Sequence, residues 1–315
     1  MKNCNNGILV DVSDPHNISE AIKKILIDDE LWKESSVRGI NSVRVYYTWK
    51  AHIDRYLEEI FKLGSGARSI KVLGTQEPIA PRVIKLNKLL IADIDNTLTG
   101  DPEALQRLIE IHNRPIYLNY LVKSLENRNY IIYFHNDPLT MNGSKYLNER
   151  KELLNQTHKL IFNSKWSRDR FLQGFNKLGY EIDKLIVIYQ SSKKVKINFN
   201  NKKNIISFVG KLNSAKGYDL FGSAIIKILD KHKNWKAIVI GDEPREKHIF
   251  NHKNLKILGF KTHDFVLKNF NIASIAVVCS RWDEPFGRTS LEASSRGCAL
   301  IISNKGGLPE TTNHA

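Results

Sequence analysis

The sequence has few cysteines, few methionines and no long apolar run. Among its 315 residues are 3 cysteines and 2 methionines. Cys4, Cys279 and Cys298 are widely separated, a spacing that favours neither a zinc site nor a disulfide framework. No apolar stretch approaches the roughly 20 residues that cross a bilayer, and the N terminus has no apolar signal-peptide core. We therefore expect a globular protein of the cytoplasm whose cysteines are reduced and, for Cys279 and Cys298, packed in the core.

Acidic residues are the minority among the charged ones. The chain has 33 aspartates and glutamates against 48 lysines and arginines, which gives a formal net charge of +15. Such an excess favours an anionic partner, either a nucleoside diphosphate or the phospholipid surface of a membrane. The sequence has no zinc-finger spacing, RNP-type aromatic motif or basic heptad, so we expect no nucleic-acid partner. A solvated, lysine-rich surface without any partner is the alternative.

The order of apolar and polar residues divides the chain into five segments. Residues 1–62 predict a short strand and two amphipathic helices, and residues 63–87 have the composition of a linker. Residues 88–110 predict a strand, an acidic loop and a helix. Within residues 111–192 and 193–315 strands alternate with helices, which indicates a doubly wound parallel α/β architecture. The strands are expected at 130–134, 159–162, 185–188, 205–209, 236–240, 275–279 and 299–302.

A loop with two lysines follows the strand at 205–209. Gly210 permits a close turn at the end of that strand, and Lys211 and Lys216 then project over the carboxyl edge of the sheet. Open α/β sheets bind their ligands at this edge, and two ammonium groups suit a diphosphate. Taken alone, the loop would be a pair of surface lysines.

Two glutamates accompany a glycine turn near the end of the sequence. The segment DEPFGRTSLE places Glu284 in a loop and Glu292 one turn into a helix that begins near Arg288. Free amides at the start of such a helix form an anion site, and a nearby carboxylate can accept both hydroxyls of a ribose. The alternative is a pair of acids that cap the helix.

Together with the turn GGLPE at 306–310, these motifs resemble the C-terminal domain of the retaining GT-B glycosyltransferases, which have two Rossmann domains and include sucrose-phosphate synthase. The resemblance implies that Glu292 holds the donor ribose and that Glu284 is a catalytic residue near the donor sugar. Lys216 matches the phosphate lysine of the family. Lys211 stands where the family usually has arginine, so it offers a point charge in place of a fork. Further donor contacts are implied for the amides of Gly287, Arg288 and Thr289.

The resemblance also implies an activity. Members transfer a hexose from a nucleoside diphosphate sugar to a hydroxyl of a sugar or glycan acceptor, with retention of anomeric configuration. No metal is expected for this transfer, because lysines and a helix N terminus neutralise the departing diphosphate.

Residues 111–192 resemble the end of the N-terminal Rossmann domain of bacterial members. His135 and Asn136 follow a strand at its ligand-facing end. His135 either contacts the substrate sugar as a second catalytic residue or caps the strand. The opening strands of that domain are missing ahead of residue 111, so we expect the acceptor side to be incomplete and turnover to be impaired.

The first 110 residues resemble two other pieces. Residues 1–62 resemble the tail that follows GGLPE in sucrose-phosphate-synthase-type enzymes. IADIDNTLTGD resembles the first motif of haloacid-dehalogenase-type sucrose-phosphate phosphatases, in which Asp93 would be the nucleophile, Asp95 the general acid and Thr97 a phosphate ligand. Mg²⁺ would then lie near both aspartates. The other phosphatase motifs are missing after Glu110, so we expect this segment to be vestigial. An acidic loop without function is the alternative.

These pieces occur in an unusual order. One resemblance gives way to the other within LIEIHNRP, and we interpret the chain as a fusion of two related fragments. Because termini in this fold class can lie close together, we expect residues 1–62 to dock in permuted order, with Gly7–Val10 beside the sheet of 205–302. Two alternatives to a glycosyltransferase stay open, a bifunctional sucrose-phosphate synthase/phosphatase fragment and a non-catalytic nucleotide-binding protein.

Overall fold

The structure is a computed structural model that describes residues 2–4, 6–61, 89–92, 108–125, 128–175 and 182–312. It divides into two compact units. Unit 1 comprises Met1–His52 and Tyr189–Ala315, and unit 2 comprises Ile53–Ile188. Each unit has its own β-sheet.

The described residues form twelve strands and nine α-helices. The strands are β1 (Lys2–Cys4), β2 (Gly7–Val10), β3 (Leu89–Ala92), β4 (Leu108–His112), β5 (Asn129–Phe134), β6 (Lys159–Phe162), β7 (Leu185–Val187), β8 (Lys203–Val209), β9 (Lys236–Ile240), β10 (Leu255–Ile257), β11 (Ala273–Val278) and β12 (Ala299–Ser303). The helices are α1 (Pro15–Ile27), α2 (Asp29–Tyr46), α3 (Trp49–Phe61), α4 (Leu118–Ser124), α5 (Leu147–Gln156), α6 (Lys165–Phe171), α7 (Tyr218–Lys231), α8 (His263–Ile272) and α9 (Arg288–Ser295).

Unit 1 has a seven-stranded sheet in the order β1-β2-β12-β11-β8-β9-β10. All neighbours in it are parallel except β1 and β2, which form an antiparallel pair. The central strands are runs of isoleucine, valine and alanine because helices cover both faces of a parallel sheet and bury its residues. All five residues of β12 are buried. Because β8 and β11 are parallel neighbours, their carboxyl ends lie beside each other at one edge of the sheet.

The N-terminal strand extends this sheet. β2 pairs in parallel with β12, with Gly7 opposite Leu300 and Val10 opposite Ser303. Gly7–Val10 thus lies beside the strand that precedes the turn GGLPE. Residues 53–61, which the sequence groups with this segment, belong to unit 2.

Helix α1 packs the N-terminal segment onto the core of unit 1. The side chain of Asp14 accepts a hydrogen bond from the amide of His16 and so caps the helix, and Pro15 lies in its first turn. Ile18 and Ile22 of its apolar stripe are fully buried, in the same core cluster as residues of α7, β8 and β12. Burial of such side chains contributes about 1.5–3 kcal/mol each.

The N-terminal segment contains three helices where the sequence predicts two. Helix α2 packs against α9 through small buried residues, with Gly39 at the contact. A Cβ at Gly39 would lie 3.3 Å from the Asn6 side chain and 3.4 Å from the Ser294 side chain. Apolar periodicity detects helices with an apolar stripe, and α2 was missed because it packs largely through serine and glycine.

Unit 2 has a five-stranded parallel sheet in the order β3-β4-β5-β6-β7. β4 pairs with β3 on one side and with β5 on the other. The helix predicted to run through Leu108–Glu110 is therefore wrong for these residues, which belong to β4. A short apolar run in the middle of a parallel sheet has no alternation, so periodicity does not separate it from a buried helix. Strand β4 also crosses the point where one sequence resemblance gives way to the other.

The other predicted strands lie within two residues of the observed ones, and 159–162 and 236–240 coincide with β6 and β9. The predicted doubly wound parallel α/β architecture is confirmed. None of the helices in the described ranges has the length and apolar character that a bilayer span needs.

Cys279 and Cys298 are expected to resist alkylation in the native protein. Both are fully buried, and burial raises the pKa of Cys279 to about 12 and also raises the pKa of Cys298. Because the thiolate is the reactive form, iodoacetamide should label these two cysteines only after denaturation, which peptide mass spectrometry would show. Equally rapid labelling of either one before and after denaturation would contradict this packing.

Candidate functional site

Polar residues meet at the carboxyl ends of β8 and β11 in unit 1. A pocket at this edge is lined by strand residues, by residues of the two loops that follow β8 and β11, and by the first residues of α9. The predicted site residues in its lining are Gly210, Lys216, Glu284, Gly287, Arg288 and Thr289. Lys211 and Glu292, also predicted for the donor site, lie outside the lining.

The loop that carries Lys216 is held from two sides. The side chain of Asn213 accepts a hydrogen bond from the amide of Lys216 at 3.0 Å. The Glu246 carboxylate accepts from the amide of Ser214 at 2.8 Å and also from its hydroxyl. On the other side, the carbonyl of Ala215 accepts from two backbone amides that follow β11. These bonds fix the position of the loop that carries Lys216 between β8 and β11.

Glu284 forms an ion pair with Lys216. Its Oε1 lies 2.5 Å from Nζ of the lysine, and the Glu284 side chain is 15% exposed. The turn GGLPE holds the backbone of this glutamate, since the amide of Gly307 donates to the Glu284 carbonyl at 2.6 Å. A Cβ at Gly306, where φ is +59°, would lie 2.6 Å from the Glu284 amide nitrogen. Glycine is needed there because the two backbones pass so closely.

Helix α9 begins at the same pocket. Gly287 precedes it with φ +113°, and no side chain caps its first turn. Amides at such a helix start need an acceptor, and the helix dipole favours an anion there. Because Arg288 and Thr289 line the pocket, an anion bound in it would lie at this helix start.

Glu292 lies one turn further along α9. Its Oε1 is 2.9 Å from Nε2 of His263 and 3.2 Å from Nη2 of Arg288. The Glu292 side chain is 13% exposed, whereas those of His263 and Arg288 are 58% and 62% exposed. The carboxylate is thus largely covered, whereas both of its partners are mostly exposed. The sequence does not predict the role of His263, the first residue of α8, because nothing in its local sequence points to Glu292, which lies 29 positions later.

Gly210 and Lys211 follow β8. Gly210 has an extended backbone with φ 159°, and a Cβ there would meet no atom within 4 Å. The crowded glycine is Gly241, with φ +142°, where a Cβ would lie 2.8 Å from the carbonyl carbon of Gly210. Lys211 is exposed and lies near Glu243. The pKa of Glu243 is lowered to about 2, mainly by a hydrogen bond from Arg245. The charge of Lys211 makes the smallest contribution to this lowering. The backbone at the end of β9 thus passes close to Gly210 at the end of β8, and this contact requires glycine at position 241.

The N-terminal segment supports the loop that carries Glu284. Tyr47 is buried in one cluster with Phe286 and Leu291. Its hydroxyl donates to the carbonyl of Glu310, in the GGLPE turn, at 2.7 Å. Burial raises the pKa of Tyr47, so the phenol keeps the proton that it donates. Residues from both ends of the sequence thus build the framework of this site.

His135 lies at the carboxyl end of β5 in unit 2. Its Nε2 is 2.9 Å from Nδ1 of His112, and its ring stacks on Tyr133. The predicted phosphatase-like residues Asp93, Asp95 and Thr97 lie outside the described residues. Within the described ranges, no group of three or more histidine, cysteine, aspartate or glutamate side chains is arranged to hold a metal ion.

Comparison with protein families and curated proteins gives a consistent assignment for the part of the chain that forms this pocket. Residues 190–315 match the family described as glycosyl transferases group 1. The chain is 22% identical over 236 residues to the putative glycosyltransferase YtcC of Bacillus subtilis, which covers 66% of the chain and 58% of that protein. It is 31% identical over 156 residues to the uncharacterized glycosyltransferase MJ1607 of Methanocaldococcus jannaschii, which covers 42% of the chain and 39% of that protein. The chain thus spans less than two thirds of either relative.

Three further matches are one plant enzyme and two solved structures. A probable sucrose-phosphate synthase 2 of Oryza sativa subsp. japonica is 32% identical over 105 residues, or 33% of the chain and 10% of that protein. The crystal structure of a glycosyltransferase from Rickettsia africae superposes with a TM-score of 0.51 at 19% identity and covers 69% of the chain and 67% of that structure. The structure of Anabaena HepE in complex with UDP superposes with a TM-score of 0.50 at 18% identity and covers 65% of the chain and 61% of that structure. At such identities these structures show a shared fold.

Proposed function

We propose that the chain is a glycosyl transferase of group 1, the family that residues 190–315 match, and that it transfers a hexose from a nucleoside diphosphate sugar to a hydroxyl of a sugar or glycan acceptor with retention. The observation that carries the proposal is the Lys216–Glu284 ion pair beside the uncapped start of α9. A lysine, a carboxylate and a helix N terminus meet in one pocket, as the release of a diphosphate from a sugar requires.

The pocket supplies the positive charge that a departing diphosphate needs. Lys216 provides an ammonium group, and the start of α9 provides backbone amides and the positive end of a helix dipole. Because both are held in place before binding, they stabilise the charge that develops on the leaving phosphate without reorganising. Gly210 keeps the floor of the pocket free of a side chain.

The ion pair places the carboxylate beside the leaving group. An ammonium group has three hydrogen-bond donors, so Lys216 can bind a phosphate oxygen while it keeps its bond to Glu284. A hexose attached to that phosphate would then lie against the Glu284 carboxylate. Glu284 would in this way both orient the sugar and stabilise positive charge at its anomeric carbon.

Glu292 is the proposed ribose ligand. A carboxylate accepts both hydroxyls of a ribose, and the partners of Glu292 are exposed side chains. We propose that the ribose takes the place of His263 and leaves the diphosphate to the start of α9. The UDP complex of the Anabaena neighbour supports a nucleotide of this class. We also propose that the transfer needs no metal ion and that the protein can contact a membrane surface peripherally.

Binding of nucleoside diphosphates is the first test. We expect UDP, GDP or ADP at about 100 times its dissociation constant to stabilise the protein by about 2.7 kcal/mol, which raises Tm by several degrees. Lys216→Ala and Glu292→Ala should each remove most of that rise. Lys227→Ala, which removes an exposed lysine of α7, serves as the matched control and should leave it intact. Absence of any response to all three nucleotides would overturn the proposed function.

A further inference from the structure

Lys216 and Glu284 lie on two different loops of unit 1, and the ion pair between them requires that these loops keep a fixed separation. Lys216 lies between β8 and α7, and Glu284 lies between β11 and α9. Gly217, with φ +73°, shows how closely the loops pass, since a Cβ there would lie 2.9 Å from the carbonyl carbon of Cys279. A small displacement of either loop would therefore separate the ammonium group from the carboxylate.

Arg281 joins the two loops through its guanidinium group. It lies three residues before Glu284. Its Nη1 donates to the carbonyl of Ser214, on the other loop, at 2.8 Å. The same guanidinium forms a two-pronged ion pair with Asp219, in which Nη1 lies 2.6 Å from Oδ1 and Nη2 lies 2.8 Å from Oδ2. Because Ser214 precedes Lys216 and Asp219 follows it, one side chain holds the backbone on both sides of the lysine.

The ion pair between Arg281 and Asp219 fixes geometry more than it stabilises the fold. Burial by itself raises the pKa of Asp219, but the hydrogen bonds and the charge of Arg281 outweigh it and lower that pKa, so the carboxylate stays ionised. The side chains of Arg281 and Asp219 are 37% and 27% exposed, and ion pairs with this much contact with water contribute little to the free energy of unfolding. A planar guanidinium that binds both carboxylate oxygens nonetheless has a defined orientation.

Backbone hydrogen bonds attach the loops at a neighbouring point. The carbonyl of Ala215 accepts from the amides of Arg281 and Trp282 at 2.9 Å and 3.0 Å. A loop attached at one residue can still rotate about that point, and the bonds of the Arg281 side chain to Ser214 and Asp219 add two further points that oppose such a rotation. The backbone bonds do not depend on the side chain, so we expect variants of Arg281 to fold.

We propose that Arg281 is a positioning residue that holds Lys216 against Glu284, so that the ammonium group meets the donor phosphate while the carboxylate meets the donor sugar. The effect on the donor rests on the proposed function, whereas the connection between the loops does not. The role requires arginine, because the single nitrogen of a lysine cannot reach both oxygens of Asp219 and the Ser214 carbonyl in this geometry.

Hydrogen exchange on the full chain measures the connection between the loops without a ligand. In Arg281→Gln the amides of Lys216, Trp282 and residue 281 should exchange faster, because their hydrogen bonds open more often. Arg38→Gln breaks an ion pair with Glu34 on α2 and is the matched control, in which these amides should exchange at the unmodified rate. Unchanged exchange of both loops in Arg281→Gln would overturn the proposal.

Binding and turnover show whether this position matters to the donor. Arg281→Gln should weaken binding of the nucleoside diphosphate about fivefold and lower kcat for its release from a nucleotide hexose about tenfold. Arg281→Lys, which keeps the charge and loses the fork, should fall between Arg281→Gln and the unmodified protein. Asp219→Asn should have a smaller effect in the same direction, because Arg281 then keeps its bond to Ser214. Arg38→Gln should change neither quantity.

Two results would overturn the positioning role. If Asp219→Asn binds nucleoside diphosphate as tightly as the unmodified protein while Arg281→Gln binds it more weakly, Arg281 is itself a phosphate ligand. If Arg281→Gln has a lower Tm with unchanged affinity and kcat, the side chain only stabilises the fold. An unmodified protein that binds none of UDP, GDP and ADP would instead refute the proposed function, and hydrogen exchange alone would then decide on the connection between the loops.

Discussion

Replacement of Glu284 by glutamine is expected to remove most sugar transfer and to leave nucleoside diphosphate binding intact. We expect kcat to fall by about a hundredfold or more, the size of effect seen when one preorganised charge is removed from an active site. The dissociation constant of the nucleoside diphosphate should stay within about threefold, because in the proposed role Glu284 interacts with the reacting sugar and not with the nucleotide.

The ion pair with Lys216 explains why binding should survive this substitution. Glu284 Oε1 lies 2.5 Å from the lysine ammonium. Glutamine keeps the shape of the side chain and has no charge to hold the ammonium. Lys216 is then more available to a phosphate oxygen, so nucleoside diphosphate affinity stays the same or rises. The same change removes the carboxylate that would face the anomeric carbon.

Release of nucleoside diphosphate from UDP-, GDP- and ADP-hexoses measures this effect with water or a sugar as acceptor. Asp283→Asn is the matched control, since it removes an adjacent, exposed carboxylate from the same loop. It should leave kcat within about twofold, as is usual for surface substitutions away from special features. A Glu284→Gln protein with turnover close to that of Asp283→Asn would rule out the catalytic role of Glu284.

The sequence predicts the parts of this site that depend on local chemistry. The strand–glycine–lysine segment and the helix after Gly287 can both be recognised because turns, caps and phosphate loops need particular residues at fixed spacings. Six predicted residues indeed line one pocket. The glycines show the limit of this reasoning. The sequence predicts a turn at Gly210 but not that the backbone of Gly241, at the end of the neighbouring strand, passes close to it.

Other features depend on contacts between distant segments, which local patterns do not show. The pairing of Tyr56 with Glu110 joins residues 54 positions apart, and that of His263 with Glu292 joins residues 29 positions apart. Leu108–Glu110 was predicted as helix because an apolar run has the same composition in a buried strand and in a buried helix. Only the two neighbouring strands decide between them.

A second large effect is expected from Gly7→Val in β2. We expect it to lower the free energy of unfolding of unit 1 by about 2–4 kcal/mol. Gly7 pairs with Leu300, and a Cβ there would lie 2.6 Å from the Leu300 carbonyl carbon and closer still to its oxygen. These are backbone atoms of a central strand, so they cannot move aside as a flexible side chain can. Strand β2 must therefore shift away from β12.

Urea unfolding followed by tryptophan fluorescence measures the loss, because Trp32, Trp49, Trp235 and Trp282 all lie in unit 1. Gly39→Ala is the control. It changes a glycine of the same segment, at which a Cβ would approach side-chain atoms at 3.3 Å and 3.4 Å that can adjust. Its effect should stay within about 1 kcal/mol, since alanine also favours the helix. An unchanged unfolding midpoint for Gly7→Val would mean that residues 1–12 do not pair with β12 in solution.

The same substitution should weaken nucleotide binding without touching the pocket. Helix α9 carries Arg288, Thr289 and Glu292, and α2 of the N-terminal segment packs against it. Tyr47, at the end of α2, bonds to the carbonyl of Glu310 in the turn that holds Glu284. If the N-terminal segment is displaced, the packing of α2 on α9 and the hydrogen bond of Tyr47 are lost together. The rise in Tm that nucleoside diphosphate causes should then shrink along with the free energy of unfolding. A destabilised Gly7→Val protein that binds nucleotide as tightly as the unmodified chain would show that the N-terminal segment stabilises the sheet alone and has no part in the donor site.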